Sequence, residues 1–258
     1  MKTLLLITLL FAGSQEERLV LEFSDPARPG RLLTHLRLGK IEIRGTKSKE
    51  ITISSEPIFE HMSDEKVNGM RRLNAATFGL QVEEEDNLAV INVASIRTPQ
   101  HLVVEVPRLT SLSLKSGGGI LVTGVVGELE LDTTEGDIQL KNVGGSVVAN
   151  SLNGEIVVSI SQVTPGKAMS FTTLIGDLDV TLPPGIKCEV RIVTRQGEVY
   201  TDFEMELATR NKNTGGTRDK NGRYQAGFER ALYGKVNGGG PRISFNTLQG
   251  NIYIRKGK

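Results

Sequence analysis

From Leu112 onward one twelve-position pattern returns along the chain: apolar, x, apolar, x, Ser/Thr, x, x, Gly, Asp/Glu/Asn, apolar, x, apolar. Leu129–Leu140 and Val147–Val158 are full copies. A third runs from Met169 through Phe171, Thr173, Gly176, Asp177 and Leu178 to Val180. Val190, Ile192, Thr194, Gly197, Glu198 and Val199 repeat it with Thr201 in the last apolar slot, and Ile243, Phe245, Thr247, Gly250, Asn251, Ile252 and Ile254 close it. An opening copy with Leu112, Leu114, Ser116 and Gly119 slips by one residue to Ile120 and Val122. The copies begin 17, 18, 22, 21 and 53 residues apart.

Alternation with period two on both sides of a glycine means two short strands per copy, each with one buried face. A hairpin meander also supplies strand, turn and strand, but it does not demand that equivalent positions match at intervals of about 20 residues. A coil does, because each residue stacks on its counterpart about 4.8 Å along the axis. The pattern predicts an all-β chain, a single parallel β-helix, right-handed, with one coil of about 17–22 residues per copy.

Each slot has a physical task. Leu131, Ala149, Phe171, Ile192 and Phe245 are expected to form one inward column. The Ser/Thr column (Ser116, Thr133, Ser151, Thr173, Thr194, Thr247) shares that inward parity beside the corner, where hydroxyls can satisfy turn backbone groups or each other. The structural corner glycines, Gly136, Gly154, Gly176, Gly197 and Gly250, are expected to supply the positive φ of a tight corner.

Composition narrows the function classes. Lys plus Arg (31) nearly cancels Asp plus Glu (30), which gives no basic surplus for nucleic acid. Met1-Lys2-Thr3, the apolar run Leu4–Phe11 and the small residues before Gln15 have the parts of a secretory signal over 1–14, with a buried first strand as the alternative. The apolar run is well short of the roughly 20 residues that span a bilayer, so no transmembrane segment is expected in the mature chain. Cys188 has no partner for an internal disulfide, and the parity of Ile186, Val190 and Ile192 turns it inward.

The expected organisation is one domain over 15–258. Irregular coils and a cap occupy 15–107, regular repeats 108–204, a polar basic insertion 205–240 and a closing coil 241–258. In the first part strands are expected at Leu19–Phe23, Leu36–Ile43, Glu50–Ser54, Leu80–Glu83, Leu88–Val93 and Leu102–Val106, and either a helical turn or a loop at Asp64–Leu73.

The run Gly39-Lys40-Ile41-Glu42-Ile43-Arg44-Gly45, the Gly-Asp/Glu-Ile corners, Leu182-Pro183-Pro184-Gly185 and the ending Val236–Pro241 through Gly250–Ile254 carry a resemblance. Over about residues 18–258 the chain resembles the bacterial putative-adhesin family, a β-strand-repeat domain of unknown function related to auto-transporter adhesin heads. The resemblance implies an exported, non-enzymatic β-solenoid with no catalytic residues to transfer.

The residues themselves offer little chemistry. His35, His61 and His101 lack metal-ligand spacing, and no cofactor motif is present. Lys115-Ser116-Gly117-Gly118-Gly119 has the look of a phosphate cradle, but strands flank it. The row after the corner glycine, Asp137, Glu155, Asp177, Glu198 and Asn251, reads as a solvated turn row, a calcium ladder or a catalytic row. Tyr200 and Tyr253, each three places after a corner glycine, point outward and could offer a sugar platform. Arg210, Lys212, Arg218, Lys220 and Arg223 give the insertion a local basic surplus, suited either to a solvated loop or to contact with an anionic partner.

The function expected is a cell-envelope adhesion-type or structural binding module, in the periplasm or at the surface, whose partner is an envelope component or surface protein. The alternatives are a polysaccharide lyase or hydrolase and a self-assembling envelope scaffold.

Overall fold

The computed structural model describes residues 18–57, 80–93, 99–218 and 224–258. The proposed signal segment 1–14, the segment Asp64–Leu73 and His61 lie outside them. Among the described residues there are twenty β-strands and no helix.

The chain enters along β1 (Arg18–Glu22), makes one coil as β2 (Gly30–Leu36) and β3 (Gly39–Thr46), and leaves it as β4 (Glu50–Pro57). It returns through β5 (Leu80–Glu85), β6 (Leu88–Val93) and β7 (Gln100–Pro107). The regular coils follow as β8 (Thr110–Ser116) with β9 (Ile120–Thr123), and β10 (Val126–Glu135) with the first part of β11 (Ile138–Asn153). The rest of β11 leads into β12 (Ile156–Val163), then come β13 (Met169–Ile175) with β14 (Leu178–Leu182) and β15 (Cys188–Gln196) with β16 (Val199–Thr201). Last are β17 (Glu206–Arg218), β18 (Tyr224–Val236), β19 (Arg242–Gln249) and β20 (Ile252–Lys256).

The coils pair in parallel and in register. On one face Leu114, Leu131, Ala149, Phe171, Phe245 and Ile192 are successive partners. On the other, Ile41, Ile120, Ile138, Ile156, Leu178 and Ile252 are. Every member of both columns is buried. Phe171 and Phe245 stack with centroids 5.6 Å apart, beside the small Ala149 that makes room for them. The expected inward column is therefore present, and the architecture is β-solenoid-like.

Its order is not the order of the sequence. The final coil, β19 with β20, sits between the coil of β13 and β14 and that of β15 and β16. Phe245 thus separates Phe171 from Ile192. The start of the chain does the same in mirror fashion: β2 lies between β6 and β8, and β3 between β7 and β9. Leu182-Pro183-Pro184-Gly185 is where the chain skips a level. A turn from the Ile186 N–H to the Pro183 carbonyl shapes the link, and Asn237 Nδ2 donates to the Ile186 carbonyl at 2.7 Å.

Antiparallel strands close the stack. β5 pairs with β6, β4 with β7, and β1 with β4. At the other end β18 lies antiparallel on β15, and β17 on β18. Residues 205–240 thus hold a paired hairpin that extends the sheet, where a loop between coils was one reading of their charge. The single strand expected at Leu36–Ile43 is two, because the chain turns a corner at Arg37 and Leu38.

Candidate functional site

The corners show how the repeat holds its register. Each Ser/Thr hydroxyl of the column donates to the carbonyl of a corner glycine or, for Ser116, of Gly39. Ser116 reaches Gly39 at 3.1 Å, Ser151 reaches Gly136 at 3.4 Å, and Thr173 reaches Gly154 at 2.9 Å. Thr247 reaches Gly176 at 3.1 Å and Thr194 reaches Gly250 at 3.1 Å, and in all five the acceptor belongs to the neighbouring coil. Thr133 bonds Gly136 of its own coil.

The same carbonyls explain the glycines. A Cβ on Gly154, Gly176, Gly250 or Gly197 would overlap the carbonyl oxygen of Gly136, Gly154, Gly176 or Gly250 respectively. Gly176 also has a φ of 143°, whereas Gly197 has no positive φ, so there close approach alone excludes a side chain.

The acidic row is tied into this scaffold. Asp137 Oδ1 accepts the Glu155 N–H at 2.9 Å, Asp177 Oδ1 accepts the Asn251 N–H at 2.7 Å, and Asn251 Oδ1 accepts the Glu198 N–H at 2.9 Å. The short side chains reach across one level to backbone donors, which is an Asx ladder between coils. Asp177 and Glu198 are separated by Asn251, contrary to their sequence order.

Tyr200 and Tyr253 come together on the outer face. They are register partners of β16 and β20, although 53 residues apart in sequence. Their rings stack with centroids 5.1 Å apart and planes 8° from parallel. Asp179 is the next partner beyond Tyr253, and it holds Arg255 in a bidentate pair, with Nε–Oδ1 at 2.7 Å and Nη2–Oδ2 at 2.9 Å. The guanidinium carbon stands 5.3 Å from the Tyr253 ring centroid.

Tyr200 is 47% exposed, and its hydroxyl donates to Glu198. That bond to a carboxylate raises the phenol above its ordinary value, and the Asp179 carboxylate does the same for Arg255. β16 pairs with β20 on one side, so the Tyr200 ring ends the aromatic stack. The arrangement offers the Tyr200 ring as an exposed aromatic surface, held from behind by Tyr253 and the Asp179–Arg255 pair.

Asp179 and Arg255 were not singled out from sequence, yet the signal existed. Asp179 stands three places after Gly176, as Tyr200 and Tyr253 do after Gly197 and Gly250.

The remaining candidates do not join this site. Cys188 is buried at 1% exposure, and burial pushes its thiol up to about 11, which suits an inward core residue and no nucleophile. His101 Nε2 lies 3.3 Å from Glu42 Oε2, in the coils near the other end. Arg210, Lys212 and Arg218 lie on β17, and Lys220 and Arg223 lie outside the described residues.

Residues 111–228 match the model of the Toastrack DUF4097 family, a stretch that takes in the regular coils from β8 and most of the hairpin. The family resemblance drawn from the corner sequences agrees with it. The chain is similar in structure to a putative cell adhesion protein from Clostridium sporogenes, with 13% identity and a TM-score of 0.43 over 94% of this chain and 100% of that one. It is also similar to a putative adhesin from Bacteroides fragilis, with 11% identity and a TM-score of 0.40 over 95% of this chain and 98% of that one. No curated protein matches the sequence.

Proposed function

We propose that this protein is an exported, non-enzymatic, right-handed β-solenoid that serves as an adhesion-type binding module of the cell envelope. The observation that carries the reading is the stacked Tyr200–Tyr253 pair, backed on the Tyr253 side by the Asp179–Arg255 ion pair, which gives the outer face an exposed aromatic surface of the saccharide-contact type. Asp137 and Asp177 speak against the polysaccharide-cleaving alternative, since each carboxylate already accepts a backbone N–H of the neighbouring coil. The basic residues of segment 205–240 (Arg210, Lys212, Arg218, Lys220 and Arg223) are read as further contacts for anionic envelope components.

The test is binding of the purified protein to envelope polysaccharides, with Tyr200→Ala and Tyr253→Ala as variants. The reading predicts loss of binding with the melting temperature little changed, because Tyr200 is exposed. Turnover of any polysaccharide that disappears in Asp177→Ala would contradict the non-enzymatic assignment. Replacing the five basic residues with Ser should flatten the salt dependence of binding to acidic polymers. Expression in a bacterial host and N-terminal sequencing of the product test export, which predicts removal of residues 1–14.

A further inference from the structure

On the opposite sheet face, far along the stack from the tyrosine pair, the corner that resembled a phosphate cradle forms a concavity of about 290 Å³. His35 and Lys115 are register partners on β2 and β8, and Asp132 on β10 is the next partner after Lys115. One corner further, Arg37, Gly117 and Thr134 line the same space. Its origin is a missing side chain. In the corresponding positions of later coils Leu152, Leu174 and Leu248 project, whereas Gly117 contributes nothing between Arg37 and Thr134. A Cβ at Gly117 would overlap the Arg37 carbonyl oxygen, so the gap is built into the backbone path.

The charges around this gap are unbalanced. Among the described residues no carboxylate pairs with Arg37 or Lys115, and His35 likewise has no ion-pair partner. Asp132 forms no ion pair with Lys115. Its Oδ1 instead accepts a hydrogen bond from Asn150 Nδ2 at 2.9 Å, which fixes the carboxylate at the rim. Neighbouring strands bring these side chains to roughly 5 Å spacing. The outer face therefore holds two unpaired cations and an imidazole around a floor without a side chain, with one oriented acceptor beside them.

We infer that this concavity is a binding site for an acidic saccharide unit. Arg37 and Lys115 hold the anionic group, His35 donates beside them, and Asp132 accepts from a ring hydroxyl. A bare anion would use the cations and be repelled by Asp132. A sugar that carries both a carboxylate and hydroxyls uses both halves of the site. The site shares no residue with the tyrosine pair or the basic hairpin, so it stands whether or not those bind.

The test uses the full chain at low salt, with titration calorimetry against tri-galacturonate, its neutral methyl ester and inorganic phosphate. Tri-galacturonate should bind and the methyl ester should not. Arg37→Ala with Lys115→Gln should weaken binding about tenfold or more. Asp132→Asn should weaken the acidic saccharide several-fold while leaving phosphate binding unchanged or tighter. Tyr200→Ala with Tyr253→Ala should change none of these values, which separates this site from the proposed adhesion surface. Unchanged binding after the double charge replacement overturns the site. Phosphate binding as tightly as the saccharide, with Asp132→Asn strengthening both, overturns the saccharide assignment.

Discussion

A corner glycine carbonyl in this protein meets two demands from the next coil: it accepts a buried hydroxyl, and it occupies the space where a Cβ would stand. Thr247 and Gly176 illustrate both, since Thr247 is 1% exposed and donates to the Gly176 carbonyl. Thr247→Val keeps the shape and removes the donor, and should cost about 1–2 kcal/mol in urea unfolding. Gly176→Ala must move the Gly154 backbone and hold a non-glycine residue at positive φ, and should cost at least about 2–3 kcal/mol by the same measurement.

Cys188 gives a pH-dependent signature. Its folded-state pKa, about 11, lies above the ordinary value of 9.0. Below the ordinary value both states keep the proton and no stability is lost. As pH rises from there towards the folded value the unfolded chain ionises first, so stability falls, by at most about 1.4 kcal/mol per pH unit. Cys188→Ala should remove that component of the alkaline slope, and in the native protein the thiol should label only as fast as the chain opens.

At the scale of elements, the parallel coils need antiparallel strands at their ends because an open solenoid end is an edge that recruits other chains. β18 covers β15 through five register pairs, from Cys188 with Val236 to Ile192 with Leu232. Removing residues 205–236 and rejoining the chain should therefore lower the melting temperature and produce concentration-dependent association, visible by light scattering. An unchanged melting temperature would make the hairpin a mere appendage.

The sequence shows the strands of this region only in part, and the reason is physical. Inside the regular coils, alternation and a corner glycine identify every strand, because burial is one-sided and the register repeats. In 205–240 neither signal operates. Charged and small residues such as Lys212, Gly215 and Gly216 show neither apolar alternation nor a corner glycine of the repeat, and in sequence they look the same as a loop. The corner between β2 and β3 carries its glycine, Gly39 with a φ of 117°, but Leu36 stands in the Ser/Thr slot and Lys40 in the acidic slot, so the repeat pattern is masked there. The tyrosine pair was half legible: both residues could be turned outward by counting from their glycines, but their contact depends on a neighbour relation that counting does not contain.

That relation belongs to the whole molecule. The corner pattern is so uniform that any coil can stack on any other, and like residues then meet whichever order is chosen. The order is decided by edges. With β18 paired on the far side of β15, the returning chain finds a partner edge on the near side, and β19 with β20 enters between two coils already named in sequence. This threading places Tyr253 beside Tyr200 and Asn251 between Asp177 and Glu198, and so creates the candidate site.

Paired cysteines at positions of outward parity test the threading directly. In a Cys188→Ala background, Thr172→Cys with Asn246→Cys joins register partners of β13 and β19, about one strand spacing apart and within disulfide reach. Thr172→Cys with Val193→Cys joins residues that both pair with Asn246, about two spacings apart and beyond reach. Mild oxidation followed by mass mapping should find the first pair bridged and the second free. A bridged 172–193 pair with 172–246 unbridged would mean that the coils follow sequence order, and the site built from Tyr200 and Tyr253 would fall with the threading.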